Sequence, residues 1–232
     1  MNICTIASDG WVDGHLARWL RKVRGSNPGA TLCLILVSDN LRLLEPTHAV
    51  VGGFDKVITV SEKEATRPFY NEVRMRLCGM FGVGEVLYCD CDADILGDVS
   101  GLEGLEKDKG VLWVKSPVIR NEWSVLCQQM GYGRPEFMAN NGLLYLRKNY
   151  DAEYRDGVER VGRFGTNPRV AGMMAFNAML MAGGVEHAQV GEDWSVVWTD
   201  VERLRTAKVV QWCNEHGQSR RMELEALWRA VQ

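Results

Sequence analysis

The sequence lacks the features that mark several large classes of protein. It has no run of 18 consecutive apolar residues and no basic, apolar leader, so we expect a soluble, cytoplasmic protein. Its formal net charge of -3 and pI near 5.9 give no general attraction to nucleic acid or to an anionic membrane. Its seven cysteines include no C-x-x-C pair, which favours reduced thiols buried in the core over a disulfide framework.

Apolar runs instead alternate with stretches of helical period along the whole chain. The predicted strands are residues 2–7, 31–37, 56–60, 84–90, 110–116, 142–148 and 208–212. Such alternation is typical of an α/β fold with a central, mostly parallel sheet flanked by helices. We find no internal repeat or linker, and the 46% hydrophobic content is enough for one core, so residues 1–232 are predicted to form a single domain.

The helical stretches are amphipathic. Leu16, Trp19, Leu20 and Val23 form the apolar face of the first predicted helix, and Arg18, Arg21, Lys22 and Arg24 form its basic outer face. Further helices are predicted from Pro68 to Phe81, between residues 116 and 142, twice within 151–182, and from Arg220 onward. A solvated helix face is the usual meaning of such a basic run.

An acidic cluster follows the fourth predicted strand, in VLYCDCDADILGDV at residues 86–99. Its members are Asp90, Asp92, Asp94 and Asp98. If the strand continued to residue 92, Asp90 and Asp92 would share one face and Cys89 and Cys91 the other. Two carboxylates at that spacing repel unless a cation lies between them, and their hard oxygens favour Mg²⁺ or Mn²⁺.

The cluster has three other interpretations. An EF-hand loop is excluded, because it requires glycine and glutamate where the chain has Ile95 and Gly101. A zinc site through Cys89 and Cys91 lacks two further ligands in the pattern. An acidic strand end exposed in a loop is the third, since D-x-D is a very short motif.

The segment around the cluster resembles a known family, and this resemblance favours the metal-binding interpretation. RPFYNEVRMRLCGMFGVGEVLYCDCDADILGDVSGL, residues 67–102, resembles the central segment of glycosyltransferase family 8, the group of glycogenin and the bacterial lipopolysaccharide galactosyltransferases. Weaker matches are TIASDGW (5–11), MANNGLLYLRK (138–148) and GEDWSVVW (191–198). The resemblance implies the GT-A fold of nucleotide-diphospho-sugar transferases.

The resemblance also implies roles for individual residues. Asp90 and Asp92 would be the D-x-D motif that binds the metal, with Asp90 also reaching the ribose of the donor. Ala7, Ser8 and Asp9 would contact the nucleotide, and Trp11 lies in the same loop. Arg74 or Arg67 would lie near the donor phosphates. The sugar pocket would be lined by Asn140, Asn141 and Gly142. Trp194 lies in another matched loop, whereas Trp19 and Trp113 fit apolar faces and are expected in the core.

One position departs from the family. The family supplies a third metal ligand from a late histidine, and this chain has Gln211 at that point and His216 five residues on. Either Gln211 binds through its amide oxygen, or His216 reaches the metal, or the metal site is weaker. Asp94 stands where the family has an aliphatic residue, and we interpret it as a turn residue rather than a carboxylate supporting the metal ligands.

The implied function is a Mn²⁺- or Mg²⁺-dependent hexosyltransferase that moves a sugar from a nucleotide-diphosphate donor, a UDP-sugar, to an acceptor hydroxyl. Retention of configuration is expected, by front-face attack without a protein nucleophile. Asn141 and Asp193 are the candidate catalytic side chains. A saccharide or protein acceptor is favoured over nucleic acid, and the tail from Arg220 carries Glu223 and Glu225, which disfavours a membrane-bound acceptor.

The sequence leaves two other functions open. A phosphohydrolase of the haloacid dehalogenase type also uses a strand-end D-x-D, but usually on the first strand. A module of the same fold that binds sugar nucleotides without turnover is the other, because the late histidine is absent.

Overall fold

The structure is a computed structural model, and it describes the chain apart from residues 46–47, 66, 117–118, 166–167, 192–193, 198–202, 204–205 and 212–232. The predicted tail helix from Arg220 therefore lies outside the described residues. Throughout the part that is described, no helix is long and apolar enough to cross a membrane.

Strands and helices alternate as the apolar pattern predicts. The strands are β1 Asn2–Ser8, β2 Thr31–Val37, β3 Lys56–Val60, β4 Val86–Cys89, β5 Ala93–Ile95, β6 Val111–Lys115, β7 Ala139–Leu146, β8 His187–Gln189, β9 Val196–Val197 and β10 Val209–Gln211. The helices are α1 Ala17–Ser26, α2 Arg67–Arg74, α3 Leu77–Phe81, α4 Asn121–Gln129, α5 Asp151–Gly162 and α6 Pro168–Met181. The one helix predicted from Pro68 to Phe81 is divided into α2 and α3.

Seven strands form a central sheet in the order β3-β2-β1-β4-β7-β6-β8. The sheet is mostly parallel and flanked by helices, which confirms the predicted fold class. β1 pairs in parallel with β2, and β2 with β3, whereas β6 is antiparallel to β7. The continuous apolar run of β2 is buried from Leu32 onward, as expected for a parallel strand covered on both faces.

The chain divides into two compact units, each assembled from separate stretches. One comprises Met1–Ser61, Cys89–Leu105 and Gly191–Gln232, and the other comprises Glu62–Tyr88 and Glu106–Val190. We call them the first and second unit. The interpretation of residues 1–232 as one domain stays a prediction.

The first unit has its core between α1 and the strands β1 to β3. Trp19 and Val23 of α1 are buried, and the Trp19 ring stacks on Phe54 with centroids 5.9 Å apart. The unit also contains a small sheet in the order β5-β10-β9, of which the sequence predicted only β10. The burial of Trp19 confirms its predicted place in the core.

The second unit packs α4, α5 and α6 beside β6 and β7. Its core includes Trp123, Leu126, Met138, Met174 and Ala178, all almost fully buried. Trp113 of β6 is buried as predicted.

Candidate functional site

The D-x-D motif lies in a tight turn that follows β4. The strand ends at Cys89, and the Ala93 N–H donates a hydrogen bond of 3.0 Å to the carbonyl of Asp90. The condition that the strand continues to residue 92 is therefore not met, and strand alternation does not set the direction of Asp90 and Asp92. Both aspartates instead lie within this turn.

The cysteines of this segment belong to the core. Cys89 and Cys91 are both buried. Burial raises the pKa of the Cys89 thiol well above its ordinary value, and the neighbouring Asp90 charge raises it further. The burial of both thiols agrees with the interpretation of these cysteines as core residues.

The interpretation of Asp94 as a turn residue is wrong. Asp94 is the middle residue of β5, and its carboxylate pairs with the guanidinium of Arg18 on α1. Arg18 accordingly does not belong to a solvated basic face. Arg24 is engaged as well, since it donates to Asp55 at 2.8 Å and to the carbonyls of Ala30 and Gly53.

Gln211 lies beside the D-x-D turn. It ends β10, which runs antiparallel to β5 with Gln211 opposite Ala93, and its side chain is buried. Its amide nitrogen donates to Ser195 Oγ at 3.1 Å. His216 and Asp193 lie outside the described residues.

The carboxyl end of β1 carries the residues implied for the nucleotide. Ala7 is buried and Ser8 half-buried at the end of β1, and Asp9 begins a short 3₁₀ turn that ends at Trp11. The Asp9 Oδ1 atom is buried and has no hydrogen-bond partner within the described part of the chain. A buried carboxylate oxygen in this condition is costly unless a ligand or water donates to it.

Trp11 presents an aromatic ring at the same end of β1. It is 38% exposed, and its ring tilts against His15 with centroids 4.2 Å apart. His15 belongs to a π-helical turn, Val12–Leu16, which leads into α1. Single π-helical turns are frequent at functional sites.

The second unit brings Arg74 and Asn141 together. Arg74 Nη1 donates to the carbonyl of Asn141 at 3.3 Å, and its guanidinium lies 4.6 Å from the ring centroid of Tyr88. Arg67 is seven residues earlier, at the first residue of α2, about 10 Å away along the helix axis. The structure therefore connects Arg74 with the predicted sugar-pocket residues.

Irregular backbone shapes the stretch from Asn140 to Gly142. The pairing of β6 with β7 shifts register between Trp113 and Val114, so that Asn140 lies opposite Val114. The Asn140 Oδ1 atom accepts the Gly142 N–H at 2.9 Å. Such irregularities redirect side chains and are common beside active sites.

Asn71 is a member of this group that the sequence did not reveal. Asn141 Nδ2 donates to Asn71 Oδ1 at 3.2 Å. Gly172 of α6 lies directly against the Asn71 amide, with no room for a Cβ atom between them. The only sequence signal is weak: Asn71 lies three residues before Arg74, on the same face of α2.

No three His, Cys, Asp or Glu side chains cluster as a metal site among the residues that the structure describes. Two aspartates and the amide of Gln211 are a different donor set, made of oxygen atoms only. Oxygen donors suit Mg²⁺ and Mn²⁺.

No protein-family model matches the chain, and no curated protein sequence matches it. Solved structures do. The galactosyltransferase LgtC in complex with donor and acceptor sugar analogues superposes with a TM-score of 0.67 at 15% identity, over 93% of this chain and 88% of that one. An active-site mutant of LgtC gives 0.70 at 16% identity, over 97% and 95%.

The glycosyltransferase GlyE of Streptococcus pneumoniae gives a TM-score of 0.65 at 12% identity, over 92% of this chain and 54% of that one. At such identities the likeness concerns the fold. The chain has a fold of the GT-A type, similar to that of glycosyltransferase family 8, as the D-x-D segment predicted.

Proposed function

We propose that the protein is a metal-dependent glycosyltransferase that moves a hexose from a UDP-sugar to an acceptor hydroxyl. The observation that carries the proposal is the D-x-D turn with Gln211 directly beside it, on a fold of the GT-A type. Gln211, the candidate third ligand, is thus a neighbour of the D-x-D motif, although 119 positions separate it from Asp92.

Asp90, Asp92 and Gln211 would hold Mn²⁺ or Mg²⁺. The donor set fits, because all three offer oxygen, and one or two carboxylates plus donor phosphates is a common way to bind these ions. When bound, the cation neutralises the charge that develops on the departing diphosphate. His216 stays an alternative third ligand.

The nucleotide is proposed to bind at the carboxyl end of β1. Asp9 supports this, because its buried Oδ1 needs a donor such as a ribose hydroxyl or a base N–H. The exposed ring of Trp11 offers a flat apolar face of the kind on which a base stacks. Ala7 and Ser8 complete this surface.

In the second unit, Arg74 is proposed to contact the donor phosphates, and Asn140, Asn141 and Gly142 the sugar. The Arg74 to Asn141 hydrogen bond supports Arg74 over Arg67 for this role. The bond from the anomeric carbon to the diphosphate oxygen breaks while the acceptor oxygen attacks from the same face. Attack from the same face retains the configuration, and the leaving phosphate oxygen takes the acceptor proton. Asp193 is the alternative catalytic carboxylate.

A saccharide or protein acceptor is favoured over nucleic acid. Arg18 and Arg24, two of the four cations of the α1 face, already have carboxylate partners. The remaining positive charge is small for a surface that must bind phosphates, and no detectable association with a short DNA duplex at low salt would agree with this choice.

The rival functions predict different stabilising ligands. A ligand that binds only the folded protein raises its melting temperature. We expect UDP with Mn²⁺ to raise it and beryllofluoride not to; the reverse would favour the phosphohydrolase and contradict the proposal. If UDP and Mn²⁺ stabilise the protein but no UDP is released from any UDP-sugar, the module without turnover is the correct reading.

A further inference from the structure

Asp94, the third aspartate of the D-x-D-x-D run, forms a shielded ion pair in the first unit. Arg18 Nε donates to Asp94 Oδ1 at 2.9 Å, and Arg18 Nη2 donates to Oδ2. Asp94 is 1% exposed, and the Arg18 side chain 16%. The two parallel hydrogen bonds fix the relative orientation of both side chains.

The pair acts on a strand that is short of support. β5 has three residues and begins directly after the Asp90 to Ala93 turn. It pairs with the three residues of β10, and β9 adds only two more. Ladders this short are marginal on their own, so the position of β5 depends on what else holds it.

Helix α1 supplies that support. Asn27, which follows α1, donates to the Gly97 carbonyl at 3.1 Å and accepts the Val99 N–H at 2.9 Å. Ser26 Oγ donates to the Ile95 carbonyl at 3.2 Å. These bonds hold the last residue of β5 and the chain beyond it, whereas the Arg18 pair holds its middle residue, nearer to the turn.

The pair also settles the local charge. The five residues from Asp90 to Asp94 carry three carboxylates. Because both Asp94 oxygens accept from Arg18, the negative charge of Asp94 is matched within the pair. Asp94 therefore adds no net charge beside Asp90 and Asp92.

We propose that Arg18 and Asp94 are a positioning pair that holds the Asp90 to Ala93 turn in the form that binds a divalent metal. Asp94 is not itself a ligand. The expected effect on metal binding rests on the proposed function. The effect of the pair on the conformation of the turn is a property of the metal-free chain and is tested separately.

Hydrogen exchange of the metal-free protein tests the hold on the turn. The reporter is the Ala93 amide, which donates to Asp90. We expect this amide to exchange at least about tenfold faster in Asp94→Asn and in Arg18→Met, because loss of the pair allows local opening. Arg21→Met is the matched control on the exposed side of α1, and exchange should not change there. Unchanged exchange in both single variants would overturn the proposal.

Titration of Mn²⁺, followed by the electron paramagnetic resonance of the free ion, tests the consequence. Each single variant should bind Mn²⁺ about 10 to 100 times more weakly, the usual effect of losing a residue that supports metal ligands. The double variant Arg18→Met, Asp94→Leu replaces the pair with apolar side chains, which buried sites often accept. It should regain exchange protection and bind Mn²⁺ within a few-fold of the original protein.

The remaining outcomes separate the two proposals. A double variant that regains protection but still binds Mn²⁺ as weakly as Asp94→Asn would make Asp94 a ligand and overturn the inference. If the unaltered protein binds no Mn²⁺, the metal dependence of the proposed function is contradicted, and so is the expected effect of the pair on metal binding. Faster Ala93 exchange in the single variants would still support the hold on the turn.

Discussion

Gln211 lies directly opposite Ala93 in the antiparallel pairing of β10 with β5, one residue beyond Asp92. The pairing connects the end of β10 with the turn that carries both motif aspartates. Gln211, which the resemblance aligns with a histidine, thus lies next to this turn.

Replacement of Gln211 tests its role as the third ligand. We expect Gln211→Ala to weaken Mn²⁺ binding by about tenfold, equivalent to about 1.4 kcal/mol. Gln211→Glu, which has nearly the same shape and a charged oxygen, should bind Mn²⁺ at least as tightly as the original. Calorimetric titration measures both, and equal affinities for the alanine variant and the original protein would leave His216 as the better candidate.

Asn71 is expected to orient Asn141. Asn71→Ala removes the acceptor of the Asn141 Nδ2 hydrogen bond, and we expect kcat/KM for the donor to fall about tenfold, the cost of about one net hydrogen bond. Gly172→Ala should have a similar effect, because its Cβ atom would displace the Asn71 amide. Asn71→Asp keeps an acceptor oxygen and is the control; a loss as large as that of the alanine variant would contradict the orienting role.

Gly157 allows the close approach of α5 to α6. A Cβ atom there would overlap the carbonyl oxygen of Ala175 and lie 3.3 Å from the Met179 nitrogen. We expect Gly157→Ala to lower the free energy of unfolding by about 1–3 kcal/mol, since overpacking outweighs the gain in helix propensity. Gly162, also in α5, has nothing within 4 Å of its Cβ position, so Gly162→Ala should be neutral or stabilising. Urea unfolding measures both, and equal signs would contradict the packing argument.

His187 is expected to make stability depend on pH. Its Nδ1 atom accepts the Trp113 indole N–H at 3.0 Å, and Nε2 lies 3.2 Å from the Leu180 carbonyl, which selects the neutral ring with the proton on Nε2. Burial lowers the pKa of His187 below its ordinary value of 6.5; the Leu180 bond and Glu186 oppose this in part, and Lys109 adds to it. Because the folded pKa lies below the unfolded one, the unfolded chain binds more protons, and stability is present in full above pH 6.5 and falls as pH falls toward the folded pKa.

The variant His187→Gln isolates this effect. Glutamine can accept from Trp113 and donate to Leu180 but does not titrate. Urea unfolding between pH 5 and 8 should therefore show a weaker loss of stability below pH 6.5 in the variant than in the original protein. Parallel profiles in the two proteins would show that His187 does not contribute.

β2 could be predicted because burial on both faces leaves a continuous apolar run, and β3 because its run of Val57, Ile58, Thr59 and Val60 is rich in β-branched residues. Thr31–Val37 and Lys56–Val60 are found with the predicted bounds. β5 could not be predicted, since Ala-Asp-Ile is short and its central charge reads as a turn. It is a strand because it pairs with Val209–Gln211 of β10, and its central Asp94 pairs with Arg18, 76 positions away; no local pattern reveals either partner.

The position of the D-x-D segment at the end of the fourth strand could be predicted from sequence, whereas its turn geometry could not. The alternation of side chains between two faces would reach Asp92 only if the strand continued, whereas β4 ends at Cys89 and the Ala93 N–H bonds to the Asp90 carbonyl. Asn71 was missed because its importance arises from Asn141, 70 positions away, and from the space left by Gly172.

The central claim is metal-dependent turnover of a sugar nucleotide through the D-x-D turn. The most direct measurement is the rate of UDP release from a panel of UDP-hexoses, with Mn²⁺ and with a chelator, for the original protein, Asp92→Asn and Asp98→Asn. Asp98 is exposed in the same segment and bonded to Ser100, so it controls for the loss of one charge. The account predicts release with Mn²⁺ in the original protein and in Asp98→Asn, and at least a hundredfold less in Asp92→Asn or with the chelator, on the order of the 2.7 kcal/mol lost with one group that stabilises the transition state. Release that is unchanged in Asp92→Asn and indifferent to the chelator would contradict it.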